Sequence, residues 1–321
     1  IELGVQNTNE KILDITKRGH GIAAVKHATK MLKDYGFKVD FHLMPQLPGA
    51  TPTTDLKMML EVFDNPDYRP DMIKVYPCTV IKTSELFDWL KRGEYKTYSD
   101  RELINMLKKF KAKVPGYVRI SRLIRDIPGH HIQAGNTMTN LRQVIQAEMA
   151  KEGLKCKCLR CREVGHQHFA DGAIHKPKMF IDEYEASGGK EYFLSFEDAN
   201  RDVVYAFCRL RVLSKEKVAE KTFLPKGLPS EGISAAALDA MGYPAFIREL
   251  HTYGQLINIG KKSKGASQHI GLGKKLIAEA EKICKKNKAY QLAVISGVGV
   301  REYYKKFGYK LENTYMAKNL K

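Results

Sequence analysis

The first 125 residues alternate short apolar runs with longer amphipathic stretches, and this alternation constrains the fold more than any other feature of the chain. The runs have the length of strands and the stretches the length of helices. The strand candidates are Ile1–Val5, Val39–Met44, Ile73–Ile81 and Tyr117–Ile124, and the helix candidates are 21–35, 54–63, 83–92 and 99–113. Ser99 and Glu102 have the spacing of a capping box, which places a helix start at Ser99. The alternation predicts parallel βα units in an open sheet or a barrel, with ligands at the strand ends.

Length and charge narrow the class of protein further. A chain of 321 residues accommodates two domains. Lys+Arg 54 against Asp+Glu 36 gives a net charge of +18, and this field attracts polyanions such as nucleic acid. Basic residues are dense over 91–113 and at Arg119, Arg122 and Arg125, although three arginines spaced in this way do not all face one side of a strand. No apolar run approaches the roughly 18–20 residues that span a bilayer, so we expect no membrane insertion and a cytoplasmic location.

Three of the six cysteines lie within six residues, where the βα alternation stops. Cys156, Cys158 and Cys161 have the spacing of a loop that wraps one tetrahedral ion. Zinc suits three such close thiolates better than an iron–sulfur cluster does. The fourth ligand stays open between His166, His168, water and a more distant side chain, and three free surface thiols are the alternative without a metal.

From Glu191 onward the pattern becomes that of a mixed sheet. Phe193–Phe196 and Val203–Val212 flank a polar turn and predict a hairpin. An irregular excursion over 213–245 comes next. A strand (245–257), a glycine-rich turn, a helix (272–286), a strand (291–296), a short helix and a last strand (309–315) complete the chain. The isolated cysteines Cys78, Cys208 and Cys284 lie in apolar contexts and are expected to be small buried residues.

The glycine-rich turn predicts an anion site. It consists of Gln268, His269, Ile270, Gly271, Leu272 and Gly273, followed by Lys274 and Lys275. Unpaired backbone N–H groups at a helix start bind pyrophosphate, and glycines allow the backbone to approach the anion closely. A glycine-rich helix start without a ligand is the alternative.

A second motif follows the turn, with Val294–Val300 as a strand that runs into a loosened turn and Arg301–Tyr309 behind it. This order resembles the GNAT acetyltransferase family. The resemblance implies that acetyl-CoA binds at the turn and that its pantetheine arm pairs with the strand around 248–254. The strand residues that this assigns to the cofactor are Glu249, Leu250 and His251.

The same resemblance implies that a tyrosine protonates the departing CoA thiolate, a role for which a phenol is a suitable donor. Tyr303 and Tyr304 are the candidates. We expect one of them to be a core residue and favour Tyr304 as the acid.

Polar or Gly/Pro-rich segments recur in the first domain. Gly4-Val5-Gln6 ends the first predicted strand, Arg18-Gly19-His20 follows a short helix, and residues 42–49 end the next strand. Together with the second domain they resemble the radical SAM half of the Elongator catalytic-subunit family in its archaeal and bacterial form, which modifies the wobble uridine of tRNA. Further stretches carry the resemblance along essentially the whole chain, namely 73–77, 122–128, 162–165, 248–251 and 294–301.

The resemblance implies a fold and a chemistry. The expected fold class is α/β, with part of a radical SAM-type (β/α) barrel over 1–125, a linker with a zinc loop over 126–185 and a GNAT domain over 186–321. S-adenosyl-L-methionine (SAM) and a [4Fe–4S] cluster would act with acetyl-CoA on uridine 34 of the anticodon stem-loop, toward 5-carboxymethyluridine. Gln6 and Arg18 are the implied SAM contacts, and Lys74, at a predicted strand end, is a candidate catalytic residue whose alternative is a surface lysine.

One departure from the family bears on the iron–sulfur cluster. Its cysteines lie upstream in the family, whereas this sequence starts at Ile1, inside a strand-like run, and Cys78 has no cysteine nearby. We therefore expect this chain to bind tRNA and acetyl-CoA without holding a [4Fe–4S] cluster. A protein lysine N-acetyltransferase and a non-catalytic tRNA-binding module are the alternatives, and homo-oligomers or Elongator-type subunits are the candidate protein partners.

Overall fold

The computed structural model describes residues 1–124, 127–166, 177–213, 218, 242–253 and 271–320. Arg125, His168 and the turn residues Gln268, His269 and Ile270 lie outside the described residues. The chain divides into two compact units, one made of Ile1–Thr29 and Val39–Cys161 and the other of Lys30–Lys38 and Arg162–Lys321. None of the helices in the described ranges is long and apolar enough to cross a membrane.

A parallel sheet forms the centre of the first unit. Its strands, in spatial order, are β1 (Glu2–Gln6), β2 (Asp40–Leu43), β3 (Met72–Val75) and β5 (Arg119–Arg122), and a separate antiparallel pair consists of β4 (Val80–Ile81) and β6 (Ile132–Ala134). The prediction of parallel βα units is confirmed. The single strand predicted over 73–81 is wrong, because the chain leaves the sheet before Pro77, which has no N–H to donate to a ladder.

Seven α-helices accompany these strands in the described residues up to position 166. They are α1 (Glu10–Ile15), α2 (Ile22–Asp34), α3 (Pro52–Asp64), α4 (Glu85–Lys91), α5 (Asp100–Lys113), α6 (Leu141–Lys151) and the short α7 (Leu159–Arg162). The predicted capping box is present, since Ser99 N donates to the Glu102 carboxylate at 2.8 Å and Glu102 N donates to Ser99 Oγ at 3.3 Å. Helix α5 packs on α3, where Phe110 stacks on Phe63 with ring centroids 5.8 Å apart.

A seven-stranded mixed sheet forms the second unit. Its strands are β7 (Lys178–Ala186), β8 (Gly189–Glu197), β9 (Val204–Val212), β10 (Ala245–Thr252), β11 (Gln291–Val294), β12 (Lys310–Glu312) and β13 (Tyr315–Asn319), in the order β12-β13-β11-β10-β9-β8-β7. Only the β10–β11 pair is parallel among these described strands. The predicted β8–β9 hairpin is confirmed, whereas the last strand, predicted over 309–315, is two strands joined at Asn313, whose φ is 53°.

Strand β7 falls inside the segment that the sequence assigned to a linker. It forms a hairpin with β8 through Ser187 and Gly188, whose φ angles of 47° and 75° are those of a tight hairpin turn. The adjacent Ser187-Gly188-Gly189 is a turn signal that sequence reasoning missed.

One face of the sheet packs against helix α8 (Leu272–Lys286). Leu276, Ile277 and Ala280 of the helix contact a core that includes Leu210 and Ile247 of the sheet. The short helix α9 (Arg301–Lys305) follows β11. The prediction for the isolated cysteines is confirmed, because Cys78, Cys208 and Cys284 are free and buried.

A cluster of buried charges lies within the second unit. The guanidinium of Arg211 on β9 donates from Nε to Asp34 Oδ1 at 2.9 Å and from Nη1 to Glu191 Oε1 at 2.9 Å. Arg248 on β10 donates from Nη2 to Glu191 Oε2 at 2.7 Å. Burial raises the pKa of Asp34, but the charges of Arg211 and Lys30 outweigh it and leave that pKa below its ordinary value of 3.8.

We predict that Asp34→Asn lowers the free energy of unfolding at pH 7 by about 3 kcal/mol, because it leaves a buried guanidinium without its carboxylate. A carboxyl whose pKa is depressed by folding stabilises the protein above its ordinary pKa and loses that contribution as the pH falls through the folded value. The difference between wild type and variant should therefore shrink between pH 5 and pH 3 in chemical unfolding. Asp64→Asn, which changes an exposed carboxylate on α3, is the control. A pH-independent difference would contradict this account of Asp34.

Candidate functional site

The three cysteines of the 156–161 segment come together in the first unit. Their sulfur atoms lie within 4.8 Å of one another, with Cys158 buried and Cys156 and Cys161 half-buried. Leu159 N–H donates to the Val118 carbonyl at 2.9 Å, which anchors the segment beside the start of β5. The predicted convergence of these cysteines is confirmed.

The donor set fits a single tetrahedral ion. Zinc–sulfur bonds of about 2.3 Å place two ligand sulfurs about 3.8 Å apart, which the observed spacing accommodates. Hydrogen bonds from Cys156 and Cys161 hold the pKa of Cys158 well below its ordinary value. Metal ligation requires the thiolate form of a cysteine.

No fourth ligand joins the three sulfurs within the ranges that the structure describes. His166 Nε2 lies 3.0 Å from the Glu163 carboxylate, and about half of its side chain is exposed. That imidazole is therefore engaged elsewhere, and the other predicted candidate, His168, lies outside the described residues.

The second half of the glycine-rich turn opens helix α8. Gly271 is the N-cap with φ of 68°, and the helix starts at Leu272 with no acidic residue in its first turn. A Cβ on Gly273 would lie 2.6 Å from the Tyr303 hydroxyl oxygen, so only glycine fits there without displacing that side chain. Lys274 follows in the same turn. The backbone N–H groups of this helix start lie where the sequence predicts an anion site.

The two neighbouring tyrosines occupy different environments. Tyr304 is 5% exposed and packs in the core, with its ring 5.9 Å from that of Tyr309. Tyr303 is half-buried, and its hydroxyl lies against Gly273. Burial raises the pKa of both phenols, and the shift is large for Tyr304. The geometry thus favours Tyr303 over Tyr304 as the phenol at the glycine turn.

Strand β10 extends beyond the end of β11. Their parallel pairing consists of Phe246 with Ala293 and Ile247 with Val294 in the described residues, and Val294 is the last residue of β11, whereas β10 continues to Thr252. A register shift between Ile247 and Glu249 in the pairing of β10 with β9 marks a bulge at the same place.

The predicted cofactor residues of β10 serve different purposes. The Glu249 carboxylate accepts from Arg209 Nε and from Lys38 Nζ, both at 2.9 Å. Burial raises the pKa of Glu249, but these two cations outweigh it and the net shift is downward. Leu250 packs against the core, and exposed His251 lies with its ring 4.4 Å from that of Tyr253.

A cavity of about 240 Å³ lies in the first unit, where β1 and β2 end. Gln6, Met44 and Trp89 are among the residues that line it. Gln6 has φ of 63°, a conformation that non-glycine residues adopt rarely and mostly at functional sites. Arg18 instead donates from Nη2 to the Gly4 carbonyl at 2.7 Å, so it fixes the strand that carries Gln6.

Lys74 lies within β3 and belongs to a polar cluster on one face of the parallel sheet. Its ammonium contacts the Glu2 carboxylate and lies 3.9 Å from Asp40 Oδ2. His42 Nε2 lies 2.9 Å from Glu2 Oε2. Burial raises the pKa of Asp40 to about 6. Sequence reasoning missed Asp40 and included His42 only in the polar strand end over 42–49. The alternation of Asp40 and His42 in an otherwise apolar strand is the signal that would have found this cluster.

The dense basic segment over 91–113 is only partly a surface feature. Lys108 and Lys111 are 4% and 0% exposed, so they do not face a polyanion. Arg119 and Arg122 begin and end β5, with Arg122 paired in register with Lys74. Fewer basic side chains are therefore available for the predicted phosphate-binding surface than the sequence suggests.

Comparisons with known proteins find relatives along the whole chain. A model of the Radical_SAM C-terminal domain matches residues 70–151. The chain is 42% identical over 328 residues to the tRNA uridine(34) acetyltransferase of Methanocaldococcus infernus and 37% identical over 323 residues to Elongator complex protein 3 of Homo sapiens. All of this chain is covered in both alignments, with 57% and 56% of those relatives. The chain thus spans a little over half the length of these curated relatives.

A solved structure shows the same fold. The archaeal Elp3 of Methanocaldococcus infernus with an N-terminal deletion of residues 1–46 superposes with a TM-score of 0.85 at 41% identity, over 99% of this chain and 72% of that chain. The matched domain and the mixed second sheet define the class, a radical SAM C-terminal region joined to a second α/β unit. The chain belongs to the Elongator complex protein 3 family, as its sequence motifs predicted.

We predict that Gly273→Ala destabilises the protein by about 1 kcal/mol, because overpacking against the Tyr303 hydroxyl exceeds the gain in helix propensity. In a Tyr303→Phe background the obstructing oxygen is absent, so the same substitution should be neutral or stabilising. Thermal unfolding of the four proteins of this double-mutant cycle measures the coupling. Gly297→Ala, where no atom lies within 4 Å of the new Cβ, is the control. Additive effects would contradict the close approach of Tyr303 to Gly273.

Proposed function

We propose that this chain carries the acetyl-CoA-binding, SAM-binding and tRNA-binding parts of an enzyme that modifies uridine 34 of tRNA toward 5-carboxymethyluridine. The observation that carries the proposal is the alignment of the whole chain with tRNA uridine(34) acetyltransferases at about 42% identity. The names of these relatives give no support to a protein lysine N-acetyltransferase.

Acetyl-CoA binds to the second unit in this proposal, on a GNAT-type domain. The N–H groups of Gly271, Leu272 and Gly273 lie at the start of α8 and hold the pyrophosphate. The sequence assigns Gln268, His269 and Ile270 to the same site. Lys274 adds positive charge at the same helix start. Glu249, Leu250 and His251 lie on β10 beyond its last pair with β11 and offer main-chain groups to the amides of the pantetheine arm.

Tyr303 is the proton donor to the CoA thiolate. Its hydroxyl lies at the first turn of α8, whereas the Tyr304 ring is part of the core. Burial raises the pKa of Tyr303, which keeps the phenol protonated at neutral pH and ready to donate. Tyr304 supports the position of Tyr303 through an edge-to-face contact, with ring centroids 5.5 Å apart.

SAM binds to the first unit, which we assign to a radical SAM-type barrel. Bound SAM and the family's [4Fe–4S] cluster supply radical chemistry, and acetyl-CoA supplies the carbon unit. Gln6 and Met44 line the cavity at the strand ends, and Arg18 positions Gln6 by holding β1. The Lys74 cluster with Glu2, Asp40 and His42 places proton donors and acceptors on the face of the same sheet.

Cys156, Cys158 and Cys161 hold a zinc ion with a structural function. The segment has little core of its own and is fixed to the fold by a hydrogen bond to Val118, so metal binding supplies its remaining order. The net charge of +18 favours tRNA as the polyanionic partner in the cytoplasm.

The first test measures release of CoA from acetyl-CoA with total tRNA or with histone peptides. We expect stimulation by tRNA alone, and Tyr303→Phe should lower the stimulated rate about 100-fold, the contribution typical of a general acid. Tyr304→Phe should cause the smaller loss, because its ring packs in the core. Stimulation by peptide and not by tRNA would overturn the proposed substrate. A larger loss in Tyr304→Phe would reassign the acid.

The second test is metal analysis of the purified protein. We expect one zinc ion per chain, lost in Cys158→Ser together with a lower melting temperature, because the buried sulfur is a ligand. Cys284→Ala, which changes a buried cysteine of helix α8, should retain the zinc. Iron bound through Cys156, Cys158 and Cys161 would show that the site is not a zinc site.

A further inference from the structure

One wall of the cavity in the first unit contains a residue in a rarely populated backbone conformation. Met44, Leu47 and Pro48 line the cavity. Gln46 lies between them in the chain and is 2% exposed, with a φ of 69°. A non-glycine residue keeps this left-handed conformation only where the surrounding structure enforces it. The contacts of Gln46 therefore decide the shape of this wall.

Three hydrogen bonds enforce the conformation of Gln46. Its backbone N–H donates to Asp55 Oδ2 at 2.7 Å, and its backbone carbonyl accepts from the Tyr95 hydroxyl at 2.6 Å. Its side-chain Nε2 donates to the Tyr98 carbonyl at 2.8 Å. The two backbone groups and the side-chain amide of Gln46 are thus bound to three different residues.

The carboxylate of Asp55 connects two of these residues. Asp55 lies in the first turn of α3 and is 0% exposed. Its Oδ2 accepts from the Tyr98 hydroxyl at 3.0 Å in addition to Gln46 N. Burial raises the pKa of Asp55 to about 6, so the carboxylate is ionised at pH 8. Because a buried carboxylate costs free energy that an apolar side chain would avoid, the two donors that it holds indicate a role in fixing their positions.

The same hydrogen bonds reach the opposite wall of the cavity. Leu86 and Trp89 of α4 line that wall. Tyr95 and Tyr98 lie in the segment that follows α4, and Glu94 N of this segment donates to the Trp89 carbonyl at 2.9 Å. The bonds of the two tyrosines to Gln46 therefore join the segment over 44–48 to the segment over 85–98.

We propose that Asp55, Tyr95 and Tyr98 are positioning residues for the SAM-binding cavity, because they hold Gln46 in its left-handed conformation and so fix the two walls relative to each other. This inference rests on the proposed SAM site. The cavity lining that the structure describes includes none of the three side chains, so each acts through Gln46 rather than by touching SAM. A variant in which the walls are in place for only a fraction of the time binds its ligand more weakly by that fraction.

The test measures the affinity for SAM at pH 8 through the fluorescence of Trp89, which lines the cavity and is the one tryptophan of the chain. Asp55→Asn, Tyr95→Phe and Tyr98→Phe each remove one polar group and nearly preserve the shape of the side chain. We expect each variant to bind SAM about 10-fold more weakly, because the loss of one hydrogen bond to a buried acceptor is typically worth about that factor.

Tyr192→Phe is the matched control in the second unit. The Tyr192 hydroxyl accepts from Asn287 Nδ2 at 3.1 Å, and its residue is as buried as Tyr95. This variant should lose a similar amount in melting temperature and bind SAM as tightly as wild type. The positioning variants should still fold, because Cys78 N donates to the Pro45 carbonyl at 2.9 Å and keeps the 44–48 segment attached.

A second background distinguishes positioning from a general contribution to stability. Glycine adopts a positive φ without steric cost, so Gln46→Gly needs the Tyr95 hydroxyl less to keep its conformation. In the Gln46→Gly background, Tyr95→Phe should weaken SAM binding by no more than about 3-fold, a smaller loss than in the wild-type background. Equal losses in both backgrounds would contradict the proposal that Tyr95 acts by holding Gln46.

The outcomes separate the two proposals. Wild-type protein that binds no SAM would overturn the SAM site and this inference together. Wild-type protein that binds SAM, with positioning variants that bind it as tightly as Tyr192→Phe does, would overturn the role of Asp55, Tyr95 and Tyr98 alone.

Discussion

The buried guanidinium of Arg211 holds the sheet of the second unit in register. It bonds to Glu191 on the neighbouring strand β8 and to Asp34 at the end of α2. A Cβ on Gly189 would lie 2.6 Å from its central carbon, so the guanidinium fits only because that residue is glycine. A one-residue slip of β9 would turn Arg211 to the opposite face and leave both carboxylates buried without their partner. The ion pairs thus select a single register.

Arg248 extends the same cluster to β10 through its bond to Glu191. Directly beside it, between Ile247 and Glu249, the pairing of β10 with β9 shifts, and the pairing of β10 with β11 ends at Ile247 and Val294. Removing one partner of a buried ion pair leaves an uncompensated charge, so these ion pairs restrict how β8, β9 and β10 align.

Sequence reasoning predicted the parts of the fold that local patterns determine. The parallel strands, the capped start of α5, the β8–β9 hairpin and the extent of α8 follow from periodicity and turn chemistry. The choice between Tyr303 and Tyr304 does not follow, because adjacent helical residues point about 100° apart and only packing against α8 decides which ring is buried. The environment of Lys74 does not follow from the sequence either, because its contact with Glu2 depends on the alignment of β1, β2 and β3. The convergence of the three cysteines was predictable because it needs only short spacing.

Net charge is the sequence signal that least reliably predicts the surface of this protein. Several of the cations behind the value of +18 are buried, among them Lys108, Lys111 and Arg211, and these are not presented to a polyanion. The total therefore overstates the field available to nucleic acid. The position of a lysine within a helix is more informative than the number of lysines, because a lysine on the apolar face needs a compensating anion nearby. For Lys108 that anion is the carboxylate of Glu152.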